Sequence, residues 1–203
     1  MESQWKGIVF DIGSVVTKPK KIRASNVLSK YYKIDLDEFL DAMFKKWDER
    51  QTGKISMKQY YESVARALKI EDVAGFEKRW ESLMEKHIEP NTTVISLIKY
   101  LKSNYKIIAF TNVSKDAEEI RIKKGIYDYF DLKLISCDEG MKKPDEDFYK
   151  LLIERSTLKP NELIFIDDSE TNLLVAQKLG IKTIHFQNAR QLKKDLKKLG
   201  VKI

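Results

Sequence analysis

Three short apolar runs of this chain each end in side chains capable of chemistry. Val9-Phe10 stops at Asp11, Ile107-Ile108-Ala109-Phe110 at Thr111-Asn112, and Leu163-Ile164-Phe165-Ile166 at Asp167-Asp168. Between the last two, Gly140-Met141-Lys142-Lys143-Pro144 sets a lysine pair just ahead of a helical pattern. A carboxylate, a hydroxyl, a lysine and an acidic pair are what magnesium-assisted phosphoryl transfer through an aspartyl intermediate needs. Magnesium prefers oxygen ligands and keeps several waters, so few protein carboxylates suffice. Taken singly, each residue has a plain structural reading. Asp is a good turn former and helix N-cap, Thr111 and Ser169 read as caps, and Lys143-Pro144 reads as a solvated loop. Their joint chemistry depends on the elements that bring them to one place.

From Pro90 onward helices and strands alternate. A helix capped by Asn91 or Thr92 runs to Lys102, followed by a strand at Tyr105–Phe110 and a helix at Ser114–Lys124. A strand at Leu132–Ser136 and a helix starting at Pro144 come next, since Pro suits a first helical turn. Strand Leu163–Ile166, a helix to Leu179, strand Lys182–Phe186 and a last helix complete the chain. This alternation predicts an α/β fold, a Rossmann-like doubly wound parallel sheet whose strand ends converge on one edge. Strand Trp5–Phe10 belongs to that sheet, and Gly13 suggests an abrupt turn after it. The stretch from Ile22 to Lys86 shows only helical spacing: Leu36, Phe39, Leu40, Met43, Phe44, Trp47; then Tyr60, Tyr61, Val64, Leu68 after Ser56; then Val73, Phe76, Trp80, Leu83, Met84. Gly53 marks a helix end. About four helices are therefore inserted after the first strand.

Composition bounds the partners. With 42% hydrophobic and 34% charged residues, the 203-residue chain has the make-up of a globular domain with an appended subdomain. No apolar run approaches the roughly 20 residues of a membrane helix, and Met1–Lys6 lacks a signal-type pattern. Cys137 is the only cysteine, which fits a reducing cytoplasm and excludes a thiolate zinc cluster. The net charge of +7 raises nucleic-acid binding as a class. Against it, the lysines are interleaved with acids, and of the local clusters at Lys18–Arg23 and Lys193–Lys198 the second reads as an exposed C-terminal helix. Cys137 reads as a core thiol, and His87 and His185 stand alone, without metal-ligand spacing.

In this order, Asp11, Thr111, Lys143 and Asp167-Asp168 resemble the four motifs of the haloacid dehalogenase superfamily, and the resemblance covers nearly the whole chain. It implies a core of residues 1–16 and 90–203 and a helical cap of residues 17–89 inserted after the first strand. It implies a phosphoric monoester hydrolase using Mg2+ and acting on a small phosphorylated metabolite. Asp11 matches the nucleophile that becomes an aspartyl phosphate. Thr111 matches the hydroxyl that binds a phosphate oxygen, with Asn112 beside it, and Lys143, rather than Lys142, matches the neutralising cation. Asp168 matches a magnesium ligand, Asp167 an acid that orients metal-bound water, and Gly13 a backbone carbonyl ligand. Most phosphatases of the superfamily carry a second aspartate where this chain has Gly13, serving as general acid and base. General acid–base help is typically worth about 10²–10⁴-fold, and Gly13 cannot supply it. A sugar-phosphatase branch with a helical cap shares the Phe-Asp-apolar-Gly opening, and the chain resembles that branch also at Glu49–Ser56. Two other readings accompany this one: a metal-independent 2-haloacid dehalogenase, whose halide needs no proton, and a non-catalytic phosphate-binding member of the fold.

Overall fold

Each strand of the sheet is an apolar run too short for a helix and bounded by polar residues. In the computed structural model, which describes residues 4–19 and 24–203, these runs pair side by side. Met1–Ser3 and residues 20–23 of the basic cluster (Lys20, Lys21, Ile22 and Arg23) lie outside the described residues. Strands β1 (Gly7–Phe10), β2 (Lys106–Thr111), β3 (Leu132–Ile135), β4 (Leu163–Asp167) and β5 (Lys182–His185) form one sheet in the order β3-β2-β1-β4-β5. Every pairing is parallel. Because side chains alternate across a strand, the sheet has two buried faces. Ile8, Phe10, Ile107, Ala109, Ile164 and Ile166 belong to one core with residues of α6 (Thr92–Leu101), α7 (Lys115–Lys123) and α11 (Ala189–Lys198). Val9, Ile108, Phe110 and Phe165 meet α9 (Glu146–Ser156) and α10 (Glu170–Lys178) on the other face. The sheet is thus doubly wound, and the central strands β1, β2 and β4 carry the site.

Five helices, not four, lie between β1 and α6 among the described residues: α1 (Ala24–Tyr32), α2 (Leu36–Phe44), α3 (Trp47–Gln51), α4 (Met57–Ala67) and α5 (Val73–His87). The run from Leu36 to Trp47 reads as one helix in sequence, but α2 ends at Phe44 and Trp47 opens the short α3. Ser56 caps α4 in a reciprocal box with Gln59, as its position suggests. Gly53 follows α3 at φ +66°, where any side chain would run into the Cys137 carbonyl of helix α8 (Ser136–Glu139). The Ser136 hydroxyl donates to the Gln51 carbonyl at 2.7 Å, so the α3 end is held against the end of β3. The helical section packs on itself through Tyr60, Tyr61, Phe76 and Trp80, whose rings meet edge-on or tilted. No helix of the described residues is long and apolar enough to cross a membrane.

Helix α9 begins at Glu146 rather than Pro144. Asp145 N–H bonds the Lys142 carbonyl at 2.9 Å, so a turn takes up residues 142–145 first. The Lys193–Lys198 cluster sits on α11, which buries Leu192 and Leu196 and presents its lysines to solvent.

Candidate active site

Parallel pairing carries the ends of β1, β2 and β4 to the same sheet edge. Asp11 continues β1 by one residue, its N–H bonding the Ile166 carbonyl of β4 at 2.8 Å. Backbone pairing therefore sets the Asp11 carboxylate beside Asp167, the last residue of β4. Lys143 joins them: its ammonium donates to Asp11 Oδ1 at 2.8 Å and to Asp167 Oδ2 at 2.6 Å. The lysine side chain is 1% exposed, and its ammonium lies 5.3 Å from the ring centres of both Phe110 and Phe165. Apolar walls thus press the cation onto the two carboxylates.

The loop carrying Lys143 is itself held. Asn112 Nδ2 donates to the Lys143 carbonyl at 2.7 Å, and Lys143 N–H donates to Asn112 Oδ1 at 2.8 Å. Asn112, expected beside Thr111 as a phosphate contact, commits its side chain to placing the lysine. Lys142 points elsewhere, 3.5 Å from Asp48 of α3. Asp167 also accepts from Asn172 Nδ2 at 3.1 and 3.0 Å and from the Ser169 N–H at 2.8 Å. Asn172 carries no signal in the sequence beyond standing five residues after Asp167, in the first turns of α10.

Asp168 is the acid of the pair that reaches solvent. Partial burial and then the Asp167 charge raise it above the ordinary carboxylate range, with Lys143 and the Ser14 hydroxyl opposing. Burial likewise raises Asp11, to about 6; Lys143 pulls it down, and Asp167 pushes it up again. Burial would lower Lys143, but the Asp11 and Asp167 charges outweigh it and hold the ammonium above its usual value.

Gly13 differs from the sequence expectation. Its φ of −63° and ψ of 131° are open to any residue, and the left-handed position of the turn is Ser14, at φ 58°. The sharp turn is therefore made by a serine, not by the glycine. Thr111, fully buried at the end of β2, has its hydroxyl taken by Arg121 Nη1 at 3.1 Å. Arg121 was not legible in the sequence, because in Glu-Glu-Ile-Arg-Ile-Lys-Lys it reads as one charge on a solvated helix. Cys137 is buried and donates to Glu118 Oε2 at 3.3 Å; burial, reinforced by Glu118, raises its thiol to about 12. His87 and His185 take no part in the site; His185 lies on the surface, with its ring Nε2 3.1 Å from the Asp168 carbonyl.

The groups expected from the sequence as magnesium ligands, the Asp11 and Asp168 carboxylates and the Gly13 carbonyl, are all oxygens, the donor chemistry that magnesium favours. Asp11, Asp167 and Asp168 also place three carboxylates around one lysine, a surplus of negative charge that a divalent cation relieves.

The profile of the haloacid dehalogenase-like hydrolases matches residues 5–180. A sesquiterpene phosphatase of Aspergillus oryzae is 26% identical over 98% of this chain and 98% of its own length. A D-ribitol-5-phosphate phosphatase of Bacteroides thetaiotaomicron is 24% identical over 94% of this chain and 96% of its own. Among solved structures, a haloacid dehalogenase-family enzyme of Bacteroides thetaiotaomicron in complex with magnesium and inorganic phosphate superposes with a TM-score of 0.78. It is 23% identical and covers 90% of this chain and 94% of that one.

Proposed function

The chain belongs to the haloacid dehalogenase-like hydrolase family, and on that premise we propose that it is a magnesium-dependent phosphohydrolase of small phosphate monoesters with Asp11 as nucleophile. The observation that carries this reading is the Lys143 ammonium lying between Asp11 and Asp167. A dianionic phosphate approaching Asp11 is repelled unless such a cation neutralises it. An Asp11 oxygen attacks phosphorus, the ester P–O bond breaks, and its electron pair leaves on the alcohol oxygen. Water then attacks the aspartyl phosphate, breaking the bond to Asp11 and releasing inorganic phosphate. Lys143 holds Asp11 Oδ1 and so fixes the carboxylate for attack, while Thr111 offers its hydroxyl to a phosphate oxygen. Asp11, Asp168 and the Gly13 carbonyl would hold magnesium, which supplies Lewis-acid stabilisation of the charge on the transferred group. Asp167, saturated by Lys143, Asn172 and Ser169, orients rather than reacts. Residues 17–89 serve as the cap that covers the substrate, over a core of residues 1–16 and 90–203. The single cysteine supports a reducing, cytoplasmic setting.

The metal-free dehalogenase reading leaves three carboxylates crowded without use, and the purely binding reading leaves a poised nucleophile without use. The test is phosphate release from a panel of phosphate esters with magnesium, with a chelator, and with Asp11→Asn. Release that needs magnesium and falls by on the order of 10⁴-fold or more in Asp11→Asn is the expected result. Undiminished release in that variant overturns the assignment.

A further inference from the structure

Gly13 leaves out a side chain that its backbone would allow. A Cβ built there would stand 3.5 Å from Asp11 Oδ2 and 3.7 Å from Arg121 Nη2, both ordinary contact distances. The group beside this vacant side-chain position is thus a guanidinium. Arg121 is 8% exposed, its charge acts on Asp11, and it donates to the Thr111 hydroxyl at 3.1 Å with the Tyr127 phenol also beside it. Its Nε lacks a hydrogen-bond partner, and no carboxylate pairs with it among the described residues. Asp11, the carboxylate it acts on, is already bound by Lys143, and burying a guanidinium without an ion-pair partner of its own is costly. The cost is offset if an anion arrives beside it during the reaction.

Arg121 also lines a cavity of about 360 Å³ between the helical section and the sheet edge. Its walls include Met43, Trp47, Trp80, Met84 and Val113. Apolar residues outnumber the polar ones, among them Ser25, Gln51 and Ser114, and Arg50 and Asn112 are already engaged with Asp116 and Lys143, so the cavity suits an apolar occupant better than a sugar.

We infer that Arg121 and this cavity form the leaving-group subsite: the guanidinium receives the ester oxygen of the substrate, and the cavity takes an apolar, aryl-type body. The inference rests on the phosphohydrolase reading above. As an Asp11 oxygen bonds to phosphorus and the P–O ester bond breaks, the electron pair passes to the ester oxygen. Gly13 holds no proton to give, so that oxygen departs as an anion paired with Arg121 and takes its proton from water. A permanently charged, multiply donating fork is suited to this work.

The test measures kcat/KM of Arg121→Met and Arg121→Lys across aryl phosphates of graded leaving-group acidity and one alkyl phosphate. Arg121→Met loses about 10²-fold on the least acidic leaving groups and little on p-nitrophenyl phosphate, steepening the dependence on leaving-group pKa. Arg121→Lys, which keeps a cation and carries the test if the Met variant does not fold, gives a slope between the two. An equal loss across the series, or none, overturns the inference, the equal loss assigning Arg121 only to the positioning of Thr111. Among esters matched in leaving-group acidity, an apolar body lowers KM about tenfold relative to a polyhydroxylated one, the worth of burying one or two methylenes. The reverse order overturns the cavity assignment. Asp11→Asn is run alongside. Activity surviving there defeats the phosphohydrolase reading itself, whereas activity lost there with an unchanged slope in the Arg121 variants defeats only this inference.

Discussion

The protein buries two ionic clusters, and they are built to different rules. Asp116 of α7 accepts from Arg50 Nη2 at 2.9 Å, from the Tyr61 hydroxyl at 2.9 Å and from the Ser114 hydroxyl. Arg50 of α3 in turn stacks near Trp47, Tyr60 and Trp80, with its guanidinium carbon 5.1, 4.6 and 5.5 Å from the ring centres. There one acid meets one base, and both carboxylate oxygens are engaged. At the sheet edge, Lys143 bridges Asp11 and Asp167, Asp168 lies exposed beside them, and Arg121 acts on Asp11 without ion-pair contact. The first cluster ties the helical section to the core; the second has acid to spare. Burial of charge does not separate a structural tie from a reactive centre, whereas saturation of the charge does.

That contrast is sharpest at Lys143. Lys143→Met removes the only ammonium between two buried carboxylates, and we expect kcat/KM to fall by on the order of 10³-fold. Unfolding by denaturant should show a concurrent loss of about 3–5 kcal/mol, the cost of stranding buried charges. A variant that keeps its rate would mean that the spare acid at this edge serves no reaction.

Asp116→Ala strands Arg50 instead and should destabilise by a similar amount, about 3–5 kcal/mol, with kcat per folded molecule nearly unchanged. Replacing both partners, as in Arg50→Met with Asp116→Leu, should recover most of that loss. A double variant as unstable as the single one would show that the tie is more than a compensated pair.

The clusters should also titrate with opposite signs. Burial would raise Asp116, but Arg50, Ser114 and Tyr61 hold it below the ordinary carboxylate value of 3.8. Its contribution to stability is therefore present above about pH 4 and is lost as pH falls through the lowered value. Asp11, raised to about 6, behaves the other way: its stabilising protonated form prevails at low pH and is lost as pH rises through about 6. In the absence of divalent cations, Asp11→Asn should melt above the parent protein at pH 7, with the gap closing towards pH 4. Asp116→Asn should melt below the parent at pH 7, with the gap closing below pH 4. Parallel melting curves for either variant across that range would erase the distinction.

The sheet and the order of its site residues were legible because each central strand is a buried run ending at its polar residue. Asp167 needed only parallel pairing to lie beside Asp11, whereas Lys143 reaches both through a loop held by Asn112. The rest depended on contacts that no local pattern encodes. Arg50 and Asp116 lie 66 residues apart, and nothing local in the sequence pairs them. Arg121 sits among solvated neighbours, and only the fold turns it inward toward Thr111. Pro144 suits a helix start in isolation, yet Asn112 grips Lys143 and delays α9 to Glu146. Gly13 was read as the maker of a turn, whereas the left-handed step belongs to Ser14.

The stacking of Arg50 has an optical consequence. Of the three tryptophans, Trp47 and Trp80 lie against its guanidinium and line the cavity, while Trp5 is far off, donating its indole N–H to the Leu199 carbonyl at 2.8 Å. Two of the three intrinsic fluorophores thus view the same charge and the same enclosed space. Emission intensity and wavelength from the unlabelled protein will register what fills or rearranges that space, and Trp5 supplies a steady background against which to read it.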